Sequence, residues 1–275
     1  MPELPEVETI KRTLETKIKG LTIKAPEVFL PKIIKTPGLQ ELSARLPGKK
    51  IKKLERRGKY LLFHLSENLA LVIHLRMTGS LVYSLPDVPF APHTHVIFHL
   101  DNGDQLRYSD LRQFGHISLV QANELINIPG LANLGLDPFD PNFTRDHFKK
   151  ELKRKRATLK PLLLDQSFVS GLGNIYADEV LFRARLHPQR QSHTLIPREA
   201  TRLFCAIREI LQEGIENRGT SIKDYVDGNG KAGNYQNLLK VHNRAGEPCF
   251  KCGKPIKRTR LGGRSTYFCP SCQRT

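Results

Sequence analysis

Hydrophobic residues near the start of the chain recur with the period of an α-helix. Between residues 5 and 18 they fall on one helix face, Pro5 suits the first helical turn, and Gly20 suits a helix end. We therefore predict an amphipathic helix over residues 5–18. The apolar positions of its face are Val7, Ile10, Leu14 and Ile18.

From about residue 21 to residue 120 the pattern changes to short alternating or continuous apolar runs, which are typical of β-strands. The polar sequence Asp101–Asp104 between two of these runs predicts a hairpin turn. Together the runs predict a β-sandwich that carries one N-terminal helix. The predicted strands are residues 59–65, 69–75, 95–100, 105–108 and 116–120.

A stretch rich in proline and glycine at residues 129–142 predicts a linker, and the chain beyond it has helical periodicity. Residues 218–238 are rich in glycine, aspartate and asparagine, so this stretch is predicted to be a mobile loop or a second linker. The predicted helices span residues 146–155, 158–166, 175–184 and 197–217.

The charge balance narrows the choice of partner. Lysine and arginine total 44 against 27 acidic residues, which gives the 275-residue chain a formal net charge of +17. This excess favours a polyanion: nucleic acid, an anionic membrane surface or an acidic protein. The longest apolar run, residues 69–73, is far too short to span a bilayer, and the acidic start is unlike a signal peptide. We expect a cytoplasmic protein without a membrane partner.

Four cysteines near the end of the chain form two pairs, Cys249 with Cys252 and Cys269 with Cys272, and sixteen residues separate the pairs. This spacing fits a four-thiolate zinc site, and in a reducing cytosol clustered thiols bind metal more often than they form disulfides. Because four protein ligands leave no open position, the predicted zinc is structural. Two disulfides or four unrelated cysteines are the alternative. Cys205, on an apolar helix face, is predicted to pack in the core.

Two further segments suit contacts with phosphate groups. Residues 262–264, Gly-Gly-Arg, are predicted to form a hairpin tip between the cysteine pairs, in a run without acidic residues. Residues 170–174 lead into a predicted helix, whose free N–H groups attract anions. For this second segment an ordinary joint between two helices is the alternative.

Pro2 follows the initiator methionine, and a small second residue normally permits removal of Met1. The mature chain would then begin with a secondary amine, which can attack an aldehyde-like carbon to give an iminium ion. The positive end of the helix that begins near Pro5 disfavours protonation of this amine, and Glu3 is suited to transfer protons beside it. The alternative is that these residues only start the helix.

Read together, several segments resemble the formamidopyrimidine-DNA glycosylase family. The resemblance covers essentially the whole chain in the right order and includes the terminal cysteine module. It departs from the common pattern at Gly58, where relatives often carry another small residue, and at Gln113, where a second arginine is common. The segments that carry it are Pro2–Thr9, Arg56–Leu62, His74–Ser80, Asp110–Gly115 and Gly171–Glu179.

The resemblance implies an α+β protein of two lobes that binds damaged double-stranded DNA between them. The implied domains are a catalytic β-sandwich with a leading helix (1–134), a helical helix–two-turn–helix domain (135–237) and a zinc finger (238–275). The implied activity is excision of oxidised purines, such as 8-oxoguanine and formamidopyrimidines, followed by strand cleavage through β,δ-elimination. We expect a monomer that works at the nucleoid.

The resemblance also implies a role for individual residues. Pro2 attacks C1′ of the damaged nucleoside to form a Schiff base, and Glu3 donates a proton. Lys59 acts as the acid–base group in β-elimination, and Arg264 acts in δ-elimination. The positions that match DNA contacts of the family are His74, Met77, His93, Arg112, Phe114, Lys155 and Asn174.

Other interpretations of the same residues stay open at this point. From the residues alone, Met77 and Phe114 would be core side chains and Arg112 a solvated charge. A related pyrimidine glycosylase resembling endonuclease VIII, or a zinc-finger protein that only binds DNA or RNA, would also fit the basic surface. Within the resemblance, substrate choice is expected to depend partly on the loop near Thr220–Tyr235.

Overall fold

The computed structural model describes residues 1–274, which form two compact units. The first unit contains Met1–Ala132 and Asn217–Gln236, and the second contains Asn133–Glu216 and the chain from Asn237 onward. The first passage between them, at Ala132, lies inside the stretch predicted as a linker from its prolines and glycines.

The first unit consists of a long N-terminal helix, a short second helix and nine strands. The helices are α1 (Leu4–Ile18) and α2 (Leu39–Arg45). The strands are β1 (Thr22–Val28), β2 (Ile34–Thr36), β3 (Lys49–Arg57), β4 (Tyr60–Leu65), β5 (Leu69–His74), β6 (Gly79–Ser84), β7 (Thr94–Leu100), β8 (Gln105–Asp110) and β9 (His116–Gln121).

The strands follow the order β2-β9-β5-β4-β3-β1-β7-β8-β6. Strands β1 and β3 pair only at Thr22 with Lys50 and at Ile23 with Lys49, so this short junction joins two layers. A single apolar core between the layers takes side chains from both sets of strands and from α1. The predicted sandwich with a leading helix is confirmed, and all four residues of the predicted face of α1 are completely buried.

The hairpin prediction also holds. Strands β7 and β8 are antiparallel, and the Leu100 N–H donates to the Asp104 carbonyl oxygen at 2.9 Å. Gly103 has φ +93°, a left-handed conformation that glycine adopts without a steric penalty. Helix α2 was not predicted, because a seven-residue helix that buries Leu42 has too few turns to show a period.

Residues 217–236 return to the first unit as a packed loop. The Gly228 N–H donates to Thr13 Oγ1 at 3.1 Å, and the Tyr83 N–H donates to the Gly228 carbonyl oxygen at 2.9 Å. A Cβ atom at Gly228 would lie 2.6 Å from Leu14 Cγ, so only glycine fits this close to α1. Of the two sequence-based alternatives, the structure favours a loop, and the loop packs on the N-terminal helix.

The second unit contains four helices and a small hairpin. The predicted helices are confirmed within a few residues at either end, and the apolar face of the last one is buried from Ala200 to Ile215. The helices are α3 (Arg145–Arg154), α4 (Leu159–Leu164), α5 (Asn174–Ala184) and α6 (Pro197–Glu216). The hairpin strands are β10 (Lys257–Leu261) and β11 (Arg264–Phe268).

A buried charge network links the helices of the second unit to the segment that leads into the hairpin. Lys160 Nζ lies 2.6 Å from Asp178 Oδ1 and donates to the Asn174 carbonyl oxygen at 2.8 Å. The second oxygen of Asp178 lies 2.7 Å from Nδ1 of His242. Next to it, the Glu179 carboxylate accepts three consecutive backbone N–H groups that end at His242. These bonds fix the start of α5 relative to the hairpin.

Candidate functional site

The N-terminal turn buries the two residues that the sequence marks for chemistry. Pro2 and Glu3 directly precede α1, and both are buried. The Glu3 N–H donates to Glu6 Oε2 at 2.7 Å, which satisfies one of the free donors at the start of the helix. The positive end of the helix dipole therefore acts on buried groups, where solvent screens it least.

Lys59 is buried in the tight turn between β3 and β4. Gly58 in this turn has φ +56°. Arg56 ties the turn to the helix, since its Nε lies 2.9 Å from Glu8 Oε2 and its guanidinium donates to the Gly58 carbonyl oxygen at 3.1 Å. Burial raises the pKa of Glu8, but Arg56, Arg12 and Lys11 outweigh it and hold this pKa below its ordinary value. Glu8 stays ionised and keeps the turn in place.

His74 ends β5, directly across from Tyr60 on β4 and close to Lys59. Burial, followed by the charges of Arg76, His116 and Lys59, lowers the pKa of His74 to about 2. Its Nδ1 accepts the Arg76 N–H at 3.0 Å, so in the neutral ring the proton lies on Nε2. His74 is therefore a neutral hydrogen-bond donor across the physiological pH range.

A second group of predicted residues lies on two turns that Asp110 joins. Thr78 Oγ1 donates to Asp110 Oδ1 at 2.5 Å, and the Arg112 N–H donates to Thr78 Oγ1 at 3.0 Å. These bonds hold the turn with Met77 against the turn with Arg112 and Phe114. The Arg112 guanidinium lies 4.7 Å from the centre of the Phe114 ring, and 55% of Phe114 is exposed. Core packing is therefore wrong for Phe114, while Met77 is half-buried.

His93 belongs to the same group of turns. Its side chain is exposed, its φ is +60°, and its carbonyl oxygen accepts the Asp110 N–H at 3.0 Å. Asp110 itself is almost completely buried, and its Oδ2 accepts the Gly115 N–H at 2.8 Å. No role for Asp110 follows from the sequence pattern or from the roles that the resemblance implies. An aspartate at the end of a strand, directly before a turn, was the signal that could have identified it.

In the second unit, the start of α5 lies beside the hairpin. Asn174 is the first residue of α5, and its Nδ2 donates to the Ser265 carbonyl oxygen at 3.0 Å. Arg264, the preceding residue, is exposed at the start of β11, after a two-residue turn in which both glycines have positive φ. The two segments predicted to contact phosphate are thus adjacent. Lys155 is half-buried at the end of α3.

The four predicted cysteines converge on one point. All four sulfur atoms lie within 4.8 Å of one another. Cys249 Sγ is 3.9 Å from Cys272 Sγ, and Cys252 Sγ is 3.5 Å from Cys269 Sγ. Tetrahedral zinc with Zn–S bonds of about 2.3 Å needs sulfur atoms about 3.8 Å apart, so the residues fit the ion. Backbone N–H groups point at two of the sulfurs, at 3.4 Å. This is a site for one structural zinc, without an open position for a substrate.

Within residues 1–274, no helix is both long and apolar enough to cross a membrane.

Three family models match successive parts of the chain. The model of the formamidopyrimidine-DNA glycosylase N-terminal domain matches residues 1–117. The model of the H2TH domain of the same enzyme matches residues 134–226. A zinc finger found in FPG and IleRS matches residues 246–275. Together they account for most of the chain.

Curated relatives and solved structures agree with these models. The formamidopyrimidine-DNA glycosylase of Pelotomaculum thermopropionicum is 57% identical over 274 residues, which cover 100% of this chain and 99% of that protein. The one from Desulforamulus reducens is 54% identical over 275 residues, with the same coverage.

Among solved structures, the complex of wild-type Lactococcus lactis Fpg with DNA containing N7-benzyl-Fapy-dG matches with a TM-score of 0.93 at 38% identity, over the whole of both chains. The complex of Lactococcus lactis Fpg with DNA containing an abasic site matches equally well, over 99% of this chain and 100% of that one.

Proposed function

Because this chain belongs to the formamidopyrimidine-DNA glycosylase family of DNA-repair enzymes for oxidised purines, we propose that it both excises the damaged base and cleaves the strand. The excision would proceed through a Schiff base on Pro2, and the cleavage through β,δ-elimination. The observation that carries this proposal is the buried turn of Pro2 and Glu3 at the positive end of α1.

The N-terminal amine is the better nucleophile on chemical grounds. An α-amino group with a pKa near 7.8 is about a tenth neutral at pH 7, whereas an ordinary lysine amine is neutral only about one part in two thousand. Once Met1 is removed, the amine of Pro2 attacks C1′ and the damaged base leaves with a proton that Glu3 donates. The amine nitrogen then loses its proton, and the C1′–O4′ bond breaks as O4′ takes up a proton, which leaves an iminium ion at C1′. This ion draws electrons from the opened sugar and makes the C2′ proton acidic enough to remove.

Lys59 suits the acid–base role in the elimination step that follows. It lies next to α1 because Arg56 ties its turn to Glu8, and the neutral His74 lies beside it. A His74 that donates a hydrogen bond without carrying charge can hold a DNA phosphate near Lys59. Arg264, exposed at the tip of the zinc hairpin, would act in the δ-elimination.

The damaged base must leave the duplex stack before C1′ can be reached. The two turns joined by Asp110 present Met77, Phe114 and Arg112, which suit this step. Met77 and Phe114 would fill the vacated space, and Arg112 would hydrogen-bond the orphaned partner base. His93, on the same group of turns, and Lys155 and Asn174 in the second unit would contact the DNA strands.

The proposed partner is damaged double-stranded DNA, which the net charge of +17 favours. We expect the protein to act as a monomer at the nucleoid, within a cytoplasmic location. The zinc module would contribute basic groups to DNA binding. None of its four ligands is needed for the chemistry, since the metal site has no open position.

A borohydride trap tests the proposal. Protein without Met1, on a duplex containing 8-oxoguanine, is expected to form a covalent adduct that mass spectrometry maps to Pro2. The physical reason is that reduction makes an iminium bond permanent, and only a neutral amine forms one. Acetylation of the amine is expected to abolish the adduct while lesion binding is retained.

The matched control is a duplex containing thymine glycol, which the endonuclease VIII-like alternative would favour. An adduct that survives acetylation and maps to Lys59 would show that Pro2 is not the nucleophile. Binding to lesion DNA without any adduct or base release would favour a protein that only binds nucleic acid.

A further inference from the structure

Glu6 links two parts of the first unit that lie far apart in the sequence. Its side chain is buried, and both carboxylate oxygens accept backbone N–H groups. Oε2 accepts the Glu3 N–H at 2.7 Å, and Oε1 accepts the Thr220 N–H, also at 2.7 Å. One carboxylate therefore joins the turn of Pro2 and Glu3 to the loop of residues 217–236.

The loop is built to approach Glu6 closely. Gly219 has φ +79°, and a Cβ atom there would lie 2.8 Å from Glu6 Oε1 and 2.9 Å from its Cγ. The Tyr225 hydroxyl, on the other side of the loop, donates to the backbone carbonyl oxygen of Glu6 at 3.3 Å. A left-handed glycine at the closest point and a second hydrogen bond indicate a fitted contact between helix and loop.

Capping of α1 alone does not explain this arrangement. In the capping box of α1, the Glu3 side chain accepts the Glu6 N–H and the Glu6 side chain accepts the Glu3 N–H. For its part in this box, Glu6 needs to accept only one bond, which the single side-chain oxygen of a glutamine could also accept. The bond to Thr220 uses the second oxygen, and only a carboxylate can accept from two converging N–H groups with both of its oxygens. Glutamine would instead aim an NH2 group at one of the two donors.

We propose that Glu6 is a positioning residue that couples the 217–236 loop to the N-terminal turn, so that the loop and Glu3 reach the damaged base together. This inference rests on the proposed function, because it assumes that the loop meets the base that Glu3 protonates. The loop tip supports it: residues 222–224 are exposed, whereas Thr220, Asp227 and Gly228 on either side are buried. The anchored parts hold the loop and leave its tip accessible.

The test compares Glu6→Gln and Glu6→Ala with Glu15→Gln. Glu15 is the matched control, because it is also a carboxylate of α1 that accepts a distant backbone N–H, that of Leu54. Its partners Leu54 and Lys11 both lie outside the loop. Hydrogen exchange measures the bridge directly. In Glu6→Ala the Thr220 amide is expected to exchange at least about tenfold faster. The wild-type rate at Thr220 is expected in Glu15→Gln.

Reaction rates test whether Glu6 couples the 217–236 loop to the N-terminal turn. In Glu6→Gln, single-turnover release of 8-oxoguanine is expected to fall about tenfold or more. Borohydride trapping on a preformed abasic site, which holds no base to position, is expected to change by less than about threefold. Unchanged Thr220 exchange in Glu6→Ala, or equal losses on the two substrates, would overturn the proposal. Hydrogen exchange needs no chemistry, so a wild-type protein that forms no adduct contradicts the proposed function while the bridge is still tested.

Discussion

The two units reach their stability by different means. In the first unit, α1 and strands from both layers enclose one continuous apolar core. In the zinc module of the second unit, the buried cluster is much smaller and includes two of the metal ligands, Cys249 and Cys269. Hydrophobic burial suffices where many side chains meet, whereas a module of this size depends on its ion.

The contrast extends to buried charge. Lys160 and Asp178 in the second unit are completely buried and pair with each other, and His242 adds a second bond. In the first unit, the pair of Arg56 with Glu8 keeps 7% and 11% of the two side chains exposed. The second unit therefore depends on individual polar bonds, and the loss of one partner leaves a buried charge exposed to an apolar environment.

The largest expected effect is the loss of zinc. In Cys269→Ser, the chain from about residue 238 onward is expected to unfold while the first unit stays folded, because structural zinc supplies on the order of 10 kcal/mol of folding free energy to such modules. Hydrogen exchange in the two units measures the unfolding, and metal analysis measures the zinc content. Cys205→Ser, outside the zinc site, is the control and is expected to keep zinc. A folded, zinc-free module in Cys269→Ser would contradict the conclusion that this module depends on its ion for stability.

A smaller loss of folding stability is expected when the buried ion pair of Lys160 and Asp178 is broken. Lys160→Met leaves Asp178 without its cation and is expected to lower the free energy of unfolding of the second unit by about 3–5 kcal/mol. The control Lys153→Met removes an exposed lysine of α3 and is expected to change it by less than about 0.5 kcal/mol. Urea unfolding, monitored by hydrogen exchange at amides of each unit, measures the free energies of unfolding of the two units separately. Equal effects of the two substitutions would show that the buried charge network contributes little to the free energy of unfolding of the second unit.

The smallest effect of a single substitution is expected at His116, on the loss of stability of the first unit in acid. Burial, then the charges of Arg76 and Lys35, lowers the pKa of His116 to about 4. Burial, then the charges of Arg76, His116 and Lys59, lowers the pKa of His74 to about 2. Below pH 6.5 the unfolded chain binds protons that the folded unit does not, so stability falls as the pH falls from 6.5 to about 4 for His116 and to about 2 for His74. The slope is at most about 1.4 kcal/mol per pH unit for each histidine, and less for the partly exposed His116.

His116→Asn is expected to flatten this slope, which thermal unfolding between pH 4 and pH 7 measures. The wild-type protein, measured in the same buffers, provides the reference slope. A slope that His116→Asn does not change would show that other groups carry the acid sensitivity of the first unit.

Local patterns predicted the elements that local interactions decide. The face of α1, the hairpin at Asp101–Asp104 and the helices of the second unit follow from spacing alone. The two cysteine pairs predicted the zinc site, because a Cys-x-x-Cys turn directs both sulfurs to one side without help from distant residues. The residues themselves indicated the chemistry proposed for Pro2 and Glu3, and the family resemblance favoured it over a merely structural helix start. The structure adds that both residues are buried at the helix start.

The contacts that position the site did not follow from spacing. Asp110 joins the turn of Met77 to that of Arg112, and its partner Thr78 is 32 residues away. Glu6 meets Thr220 across 214 residues. The local sequence could mark Asp110 as a turn residue but not its partner, and nothing local links Glu6 to Thr220, because each contact depends on where the sheet and the loop place the backbone. Helix α2 was missed because it is too short to show a period. The loop of residues 217–236 was predicted, but its packing on α1 was not, because a loop has no period that marks a buried face.

By itself, the sequence determined the basic charge, the zinc ligands, most of the helices and five strands of the sandwich, and it indicated candidate residues for the chemistry. These depend on residue type and on separations of a few positions, which the chain preserves in any conformation. Only the tertiary structure decided that His74 is a neutral donor, that Asp110 holds the exposed turns, and that Glu6 joins the N-terminal turn to a distant loop. Burial and long-range hydrogen bonds arise only when the chain has folded, because both are properties of neighbours in space.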